Sequence, residues 1–218
     1  SYESKRNHAN GEQSRDGENH NLSWNSGHEG DPCPPEVEEL RLRRIRSFAT
    51  LQLLSQGIPM LTAGDEFGRT QQGNNNCWCQ DSELSWIDWS LAEKNHDLLR
   101  FFRKCIALRR QHKVFRRSTF FEQGNVNGSE NSEIIWQSLI PGHQDWSASC
   151  KTLGFILRGT EKSASHESSF FVMINGDKTS EAHFTIPPIP NSRNQHWLII
   201  INTAAQSPAD IIDADKAQ

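Results

Sequence analysis

Two stretches carry the side chains that could do chemistry. From Asp65 to Asn76 the chain sets an acidic pair, Asp65-Glu66, ahead of Arg69 and a run of amides, Asn74, Asn75 and Asn76. From Arg15 to Asn25 it gathers Arg15, Asp16, Asn19, His20, Asn21, Trp24 and Asn25. Carboxylates, guanidinium groups and amides grip hydroxyls, and an indole stacks on the apolar face of a pyranose ring. Asn, Gln and Trp stand out in the composition, which suits a polyhydroxylated ligand. Each candidate also has a plainer role. Asp65 and Glu66 either meet a ligand at a rim or cap their loop and pair with Arg69. Asn74, Asn75 and Asn76 either line a subsite or satisfy loop backbone. Trp24 and Asn25 form either a stacking platform with its amide or ordinary packing. Arg15 and Asp16 could form an ion pair that pins the loop, worth under about 1 kcal/mol if exposed.

Cys77-x-Cys79 with His20 or His28 invites a zinc reading. The spacing is not C-x-x-C and there is no second pair, so structural thiols are the expectation, with no metal and no cofactor. Trp136, Trp146 and Trp197 further along read as packing, with ligand binding on an outer surface as the alternative.

Residues 1–35 form the scaffold of the second stretch: a polar, Gly- and Pro-punctuated loop far longer than ordinary connections. A helix over 36–56 follows, with Glu36, Glu38 and Glu39 in its first turn. Val37, Leu40, Ile45, Phe48, Leu51 and Leu54 fall on one side, and Arg41, Arg43, Arg44 and Arg46 mark the solvated side. Gly57 is placed at C′, and Pro59 forbids continuation. Ile58 to Ala63 then reads as a short strand buried on both faces, which would deliver Asp65 and the amides to the end of a strand, where parallel α/β folds hold ligands. A second helix is expected over 95–112, with Leu98, Phe102, Cys105, Ile106 and Arg109 on its packed face. Beyond Val114 the period changes. Strands are expected at 119–122, 133–139, 153–158, 170–175, 182–186 and 196–202, with Asn175-Gly176 as a hairpin turn. The fold class is therefore α/β then all-β, with the boundary between residues 114 and 115.

The 218 residues carry a formal net charge of −4 with acids and bases interleaved, so no nucleic-acid surface or membrane patch is indicated. No apolar run reaches the length of a membrane span. Five cysteines without framework spacing point to a reducing compartment.

Two long runs carry a family resemblance: KRNHANGEQSRDGENHNLSWNSGHEG at 5–30 and LLSQGIPMLTAGDEFGRTQQGNNNCWCQDSELSWIDW at 53–89. They resemble the glycogen-debranching and isoamylase-type enzymes of the α-amylase superfamily, with looser matches at the DW and LGFILRG elements later in the chain. The resemblance implies the C-terminal part of a (β/α)8 barrel over 1–114, about its last two βα units, with substrate-cleft loops at 5–30 and 64–82. It also implies a small antiparallel β-sandwich, incomplete, over 115–218. The implied ligand is a branched α-glucan, glycogen or amylopectin-like, bound through Arg15, Asp16, Asn21, Trp24, Asn25, Asp65, Glu66, Arg69, Asn74 and Asn75. The implied partner is the missing N-terminal part of the same barrel, and the compartment is the cytoplasm, or the plastid stroma in a plant or alga.

The family's Asp nucleophile, Glu acid/base and second Asp would all lie before Ser1. Retaining glycosidases need two carboxyl groups about 5 Å apart across the scissile bond. Asp65 and Glu66, adjacent in sequence, do not fit that geometry, so the segment is expected to be inactive alone. The alternatives are a non-catalytic glucan-binding or regulatory subunit and a related barrel transferase.

Overall fold

The computed structural model describes residues 1–121, 132–159, 168–189 and 196–213. The chain divides into two compact units, one of Ser1–Ser55, Pro59–Ala107 and Ile199–Gln218, the other of Gln56–Ile58 and Leu108–Leu198.

The first unit is built on helix α1, Pro35–Leu54, and on residues 96–107 of helix α3, His96–Gln111, the latter preceded by the short α2, Ser90–Lys94. Pro35 stands at the start of α1, where its missing N–H costs nothing, and Glu36 and Glu38 face the positive end of the dipole. The helix stops two residues short of the expected end. Ser55 turns extended at φ −71° and ψ 153°, and its hydroxyl caps the carbonyl of Leu51, so Gly57 is not the C′ residue.

The buried stripe of α1 also differs from the expected one. Arg41, Arg46, Ala49 and Leu53 are buried, whereas Phe48 is 65% exposed. A guanidinium can go inside when acceptors surround it. Arg46 donates to the Thr203 carbonyl at 3.3 Å and lies 3.9 Å from Asp210. Ala49 and Leu53 join Leu98, Phe101, Phe102 and Cys105 of α3 and Ile211 in one apolar cluster, with Ile45, Leu61 and Ile201 at its margin. Phe101, absent from the expected face, is fully buried, and Ile106, expected inside, is 37% exposed. Burial pushes the Cys105 thiol up to about 12, so it stays neutral. Residues 200–212 fold back on themselves through the antiparallel bridge Ile201–Ile211 and the backbone bond from Asn202 to Asp210 at 2.9 Å.

The expected strand at 58–63 does not form. Ile58 is 97% exposed and Met60 84%, and neither takes part in a sheet. A parallel strand exists only where neighbouring strands supply its hydrogen bonds, and no strand of the first unit's described residues does so. Asp65, Glu66 and Phe67 instead form a 3-10 turn between two glycines, Gly64 and Gly68, both in the left-handed region.

Among the described residues of the second unit three antiparallel strands stand in the order β1-β2-β3: Ile134–Gln137, Thr152–Leu157 and Phe170–Asn175. Trp136 pairs with Phe155, and Leu157 pairs with Ile134 on one side and Phe170 on the other. These are runs of β-branched and aromatic residues, which pack well on a pleated surface. Val114 and Phe115 are buried in the 3-10 turn Lys113–Phe115, and the Phe115 ring meets Phe170 at 4.6 Å.

Among the described residues, 119–121, 182–186 and 196–202 form no strand beyond the bridge at Ile201; Glu122 lies outside the described residues. A stretch such as 182–186 makes one sheet-like bond, from Thr185 N–H to the Leu139 carbonyl at 2.8 Å, too few for a ladder. Nor is Asn175-Gly176 a hairpin turn. Asn175 Oδ1 accepts the Asp177 N–H at 2.9 Å, an Asx turn, and Gly176 does not take a positive φ. Among the described residues no helix is long and apolar enough to cross a membrane.

Candidate functional site

The two chemistry-bearing stretches meet in the first unit. Asn7, fully buried, donates its amide to Asn75 Oδ1 at 2.8 Å, and its own Oδ1 accepts the Asn75 backbone N–H at 3.0 Å. Asn10 and Asn74 exchange amide bonds in the same way, at 2.9 Å and 3.4 Å. Asp16 lies at the centre: its Oδ2 accepts from Asn10 at 2.7 Å, Asn76 at 3.0 Å and Asn7 at 3.3 Å. Those amide donors, Asn10 foremost, hold its carboxyl below the usual range. Gln80 reaches Asn10 Oδ1 and the Ala9 carbonyl, and Lys5 ties the Asp16 carbonyl to Asn19. Gly17 makes this approach possible. At φ +73° a Cβ there would lie 2.2 Å from Asn75 Oδ1 and 2.6 Å from Asn7 Nδ2, so only glycine fits.

Residues 21–33 are held by different groups. Glu29 takes the backbone N–H of Glu3 at 2.8 Å and of Ser4 at 3.0 Å, with the Asn25 amide at 3.1 Å. These bonds, the Glu3 N–H first among them, draw its carboxyl down to about 2. Buried Arg41 reaches from α1 to the carbonyls of Asn25, His28 and Gly30 and to Asp31 Oδ1 at 2.8 Å. Asn21 donates to the Glu3 carbonyl, and Trp24 lies under the Arg44 guanidinium at 4.1 Å.

Of the residues singled out in the sequence, Asp16, Asn74 and Asn75 are thus brought into one hydrogen-bonded knot. Asn21 and Asn25 both attach to Glu3. Arg15 is exposed and bonds the Glu12 carbonyl, and the ion pairs of the described residues do not join it to Asp16. Glu66 turns back onto the Gly64 N–H at 2.9 Å. Asp65 reaches water, but the protein mass crowding it strips enough hydration to push its carboxyl above the ordinary range, partly offset by the Thr62 backbone and Arg69. Arg69 bonds Gln71 and the Ser85 carbonyl rather than pairing with either acid. An open hollow of about 580 Å³ is lined by Tyr2, Arg6, Ala9, Asp31, Thr70, Gln72 and Leu84, none of them among the ten expected contacts.

Asn7, Asn10, Glu29 and Arg41 were not singled out in the sequence. The available signal was the recurrence of amides in both loops, Asn7 and Asn10 in one and Asn74 to Asn76 in the other. Asp31, Cys33 and Glu38 are the described residues that gather three possible metal donors, with the Arg41 guanidinium lodged 3.2 Å from Cys33 Sγ. Cys77 and Cys79 do not join His20 or His28 in such a group.

The pH response of this arrangement has a definite sign. Glu29 and Asp16 are both depressed on folding, so their contribution is complete above their unfolded range and lost as pH falls, for Glu29 between 4.5 and about 2. Amide-exchange protection at Glu3 and Ser4 is expected to fall through that window, and Glu29→Gln should flatten the fall. Unchanged protection down to pH 2.5 in the unsubstituted chain would contradict the assignment.

No family model matches the chain. A glycogen operon protein GlgX homolog of Mycobacterium tuberculosis is 53% identical over 152 residues, which is 67% of this chain and 21% of that protein. Isoamylase 1, chloroplastic, of Arabidopsis thaliana is 34% identical over 216 residues, 98% of this chain and 25% of that protein. The glycogen debranching enzyme of Erwinia tasmaniensis is 41% identical over 147 residues, 64% of this chain and 22% of that protein.

The chain belongs to the isoamylase and glycogen-debranching group of the α-amylase superfamily. It spans between a fifth and a quarter of the length of these debranching relatives. A pullulanase of Paenibacillus barengoltzii solved with maltotetraose is 27% identical at a TM-score of 0.49, covering 66% of this chain and 19% of that one.

Proposed function

We propose that this chain forms one wall of the substrate cleft of a debranching hydrolase that cleaves α-1,6 linkages in glycogen or amylopectin-like glucans. The carrying observation is the 34% identity to an isoamylase across 98% of the chain. In this reading residues 1–114 belong to the end of the catalytic (β/α)8 barrel and 115–218 to an accessory β-sandwich. The amide knot supports it by fixing the 5–30 and 64–82 loops against each other, so that Asn21, Trp24, Asn25, Asp65 and Arg69 stand on a preorganised rim. Asp16, Asn74 and Asn75 serve that rim from beneath, as its frame. Preorganised donors cost little to order when a sugar arrives.

The chemistry needs a nucleophile and an acid/base on opposite sides of the glycosidic bond. Asp65 and Glu66 share one 3-10 turn, and Glu66 is turned onto its own loop. In this reading the reacting carboxylates come from residues outside these 218. Reducing-end release from amylopectin separates the possibilities. The chain alone is expected to release none, and a longer protein that includes it is expected to release linear chains. Hydrolysis by the chain alone would overturn the assignment. Glucan binding by the longer protein without hydrolysis would favour a non-catalytic regulatory subunit.

A further inference from the structure

The tryptophans sort by what holds them. Trp197 packs on Phe171 at 5.9 Å and donates its Nε1–H to the Pro187 carbonyl at 2.7 Å. Trp136 lies against both Phe155, at 5.2 Å, and Trp146, at 5.6 Å. Four others show most of their area to water: Trp78 at 85%, Trp86 at 57%, Trp89 at 71% and Trp146 at 63%. Trp86 is bonded at its nitrogen, to Asp81, and Trp89 is packed at its ring, on Phe67. Trp146 is fixed in both ways. Its ring stands at 70° to Trp136, and its Nε1–H is donated to Gln144 Oε1 at 3.1 Å. Gln144 in turn donates to the Trp136 carbonyl at 3.3 Å. Since Trp136 is a β1 residue paired with Phe155 in β2, the outermost indole stands on an aromatic column rooted in the sheet.

A large apolar ring held rigid with its face in water is costly to display and cheap to bind, because its rotamer freedom is already gone. Its neighbours along the chain are polar. Asp145 accepts the Ser147 backbone N–H at 2.9 Å, and the Ser147 and Ser149 hydroxyls lie 3.2 Å apart. One flat indole bonded to an amide, with a carboxylate and hydroxyls next along the chain, matches a pyranose, whose apolar face stacks while its rim of hydroxyls needs donors and acceptors. A protein interface would be served instead by a broader apolar centre.

We propose that Trp146, flanked by Gln144 and Asp145, is a docking platform for α-glucan chains carried by the second unit. The choice of α-glucan rests on the debranching reading above; the presence of a platform rests on the mounting of the ring.

Calorimetric titration of maltoheptaose into the 218-residue chain tests it, alongside co-sedimentation with glycogen. Trp146→Ala is expected to weaken binding about tenfold, and Trp146→Phe, which keeps a stacking face, to stay within about threefold of the parent. Both variants are to be compared at matched cooperative melting, and the phenylalanine variant carries the test if the alanine one does not fold. Parent-like binding by Trp146→Ala, or an equal loss in both variants, overturns the proposal while leaving the debranching reading in place. A change in sedimenting mass with unaltered glucan affinity identifies a protein contact and likewise overturns it. If the unsubstituted chain binds neither maltoheptaose nor glycogen, the platform is overturned, while the debranching reading, which is tested on the longer protein, still stands.

Discussion

Asp210→Ala is expected to lower the unfolding free energy by about 3–5 kcal/mol, the loss typical of removing one partner from a buried charge cluster. Asp210 is 1% exposed and faces two guanidinium groups, those of Arg100, in direct contact, and Arg46, at 3.9 Å. Its Oδ1 also accepts the Ile211 N–H at 2.9 Å. Without it, two largely buried cations face each other with no compensating charge, and residues 200–212 lose their ionic tie to both helices. Asp210→Asn keeps the shape and part of the hydrogen bonding, and should cost less. Asp213, which pairs with Lys104 at 2.9 Å on the exposed surface, is the control. Its alanine variant should cost under about 1 kcal/mol, as solvent-screened pairs do. Denaturant titrations of the three variants decide the matter, and an Asp210→Ala loss no larger than that of Asp213→Ala would refute the buried triad.

Phe101→Ala should cost a comparable amount, about 3–5 kcal/mol, by emptying the centre of the first unit's core. Phe101 is fully buried among Ala49, Leu53, Leu98, Phe102 and Cys105. Close-packed neighbours cannot collapse fully into a benzyl-sized void, so the cavity adds to the lost transfer energy. The neighbouring Ile106 is 37% exposed, and its truncation should matter far less. Equal losses at the two positions would restore the face expected from the sequence and contradict the observed one.

That face shows what the sequence could and could not disclose. Helix α3 was legible because Leu98, Phe102 and Cys105 repeat at helical spacing; the template missed Phe101 only because the buried stripe is wider than a single i, i+3, i+4 row. In α1 the same logic misassigned Arg41 and Arg46, since counting apolar types cannot reveal loop carbonyls or an aspartate waiting some distance away in sequence. The run Ile58 to Ala63 looked like a strand for the converse reason. Its composition suits a sheet, but a strand is made by its neighbours.

The three strands of the second unit were legible as dense runs such as Ile134-Ile135-Trp136 and Phe170 to Ile174. The expected segments around them were too weakly patterned to define a ladder. At the site, Asp16, Asn74 and Asn75 could be singled out by type, but their joining to Asn7 and Asn10 depends on loops more than 60 residues apart in sequence. The family resemblance was readable because it rests on long runs, above all GDEFGRTQQGNNN at 64–76, rather than on any one residue.

The central claim is that this chain is part of an enzyme that opens α-1,6 branch points. The most direct test compares reducing ends released from amylopectin and from unbranched amylose by the longer protein that contains these residues. The account predicts release from amylopectin, with linear maltooligosaccharides as products, and none from amylose. Equal release from both glucans, or transfer products without net hydrolysis, would contradict it.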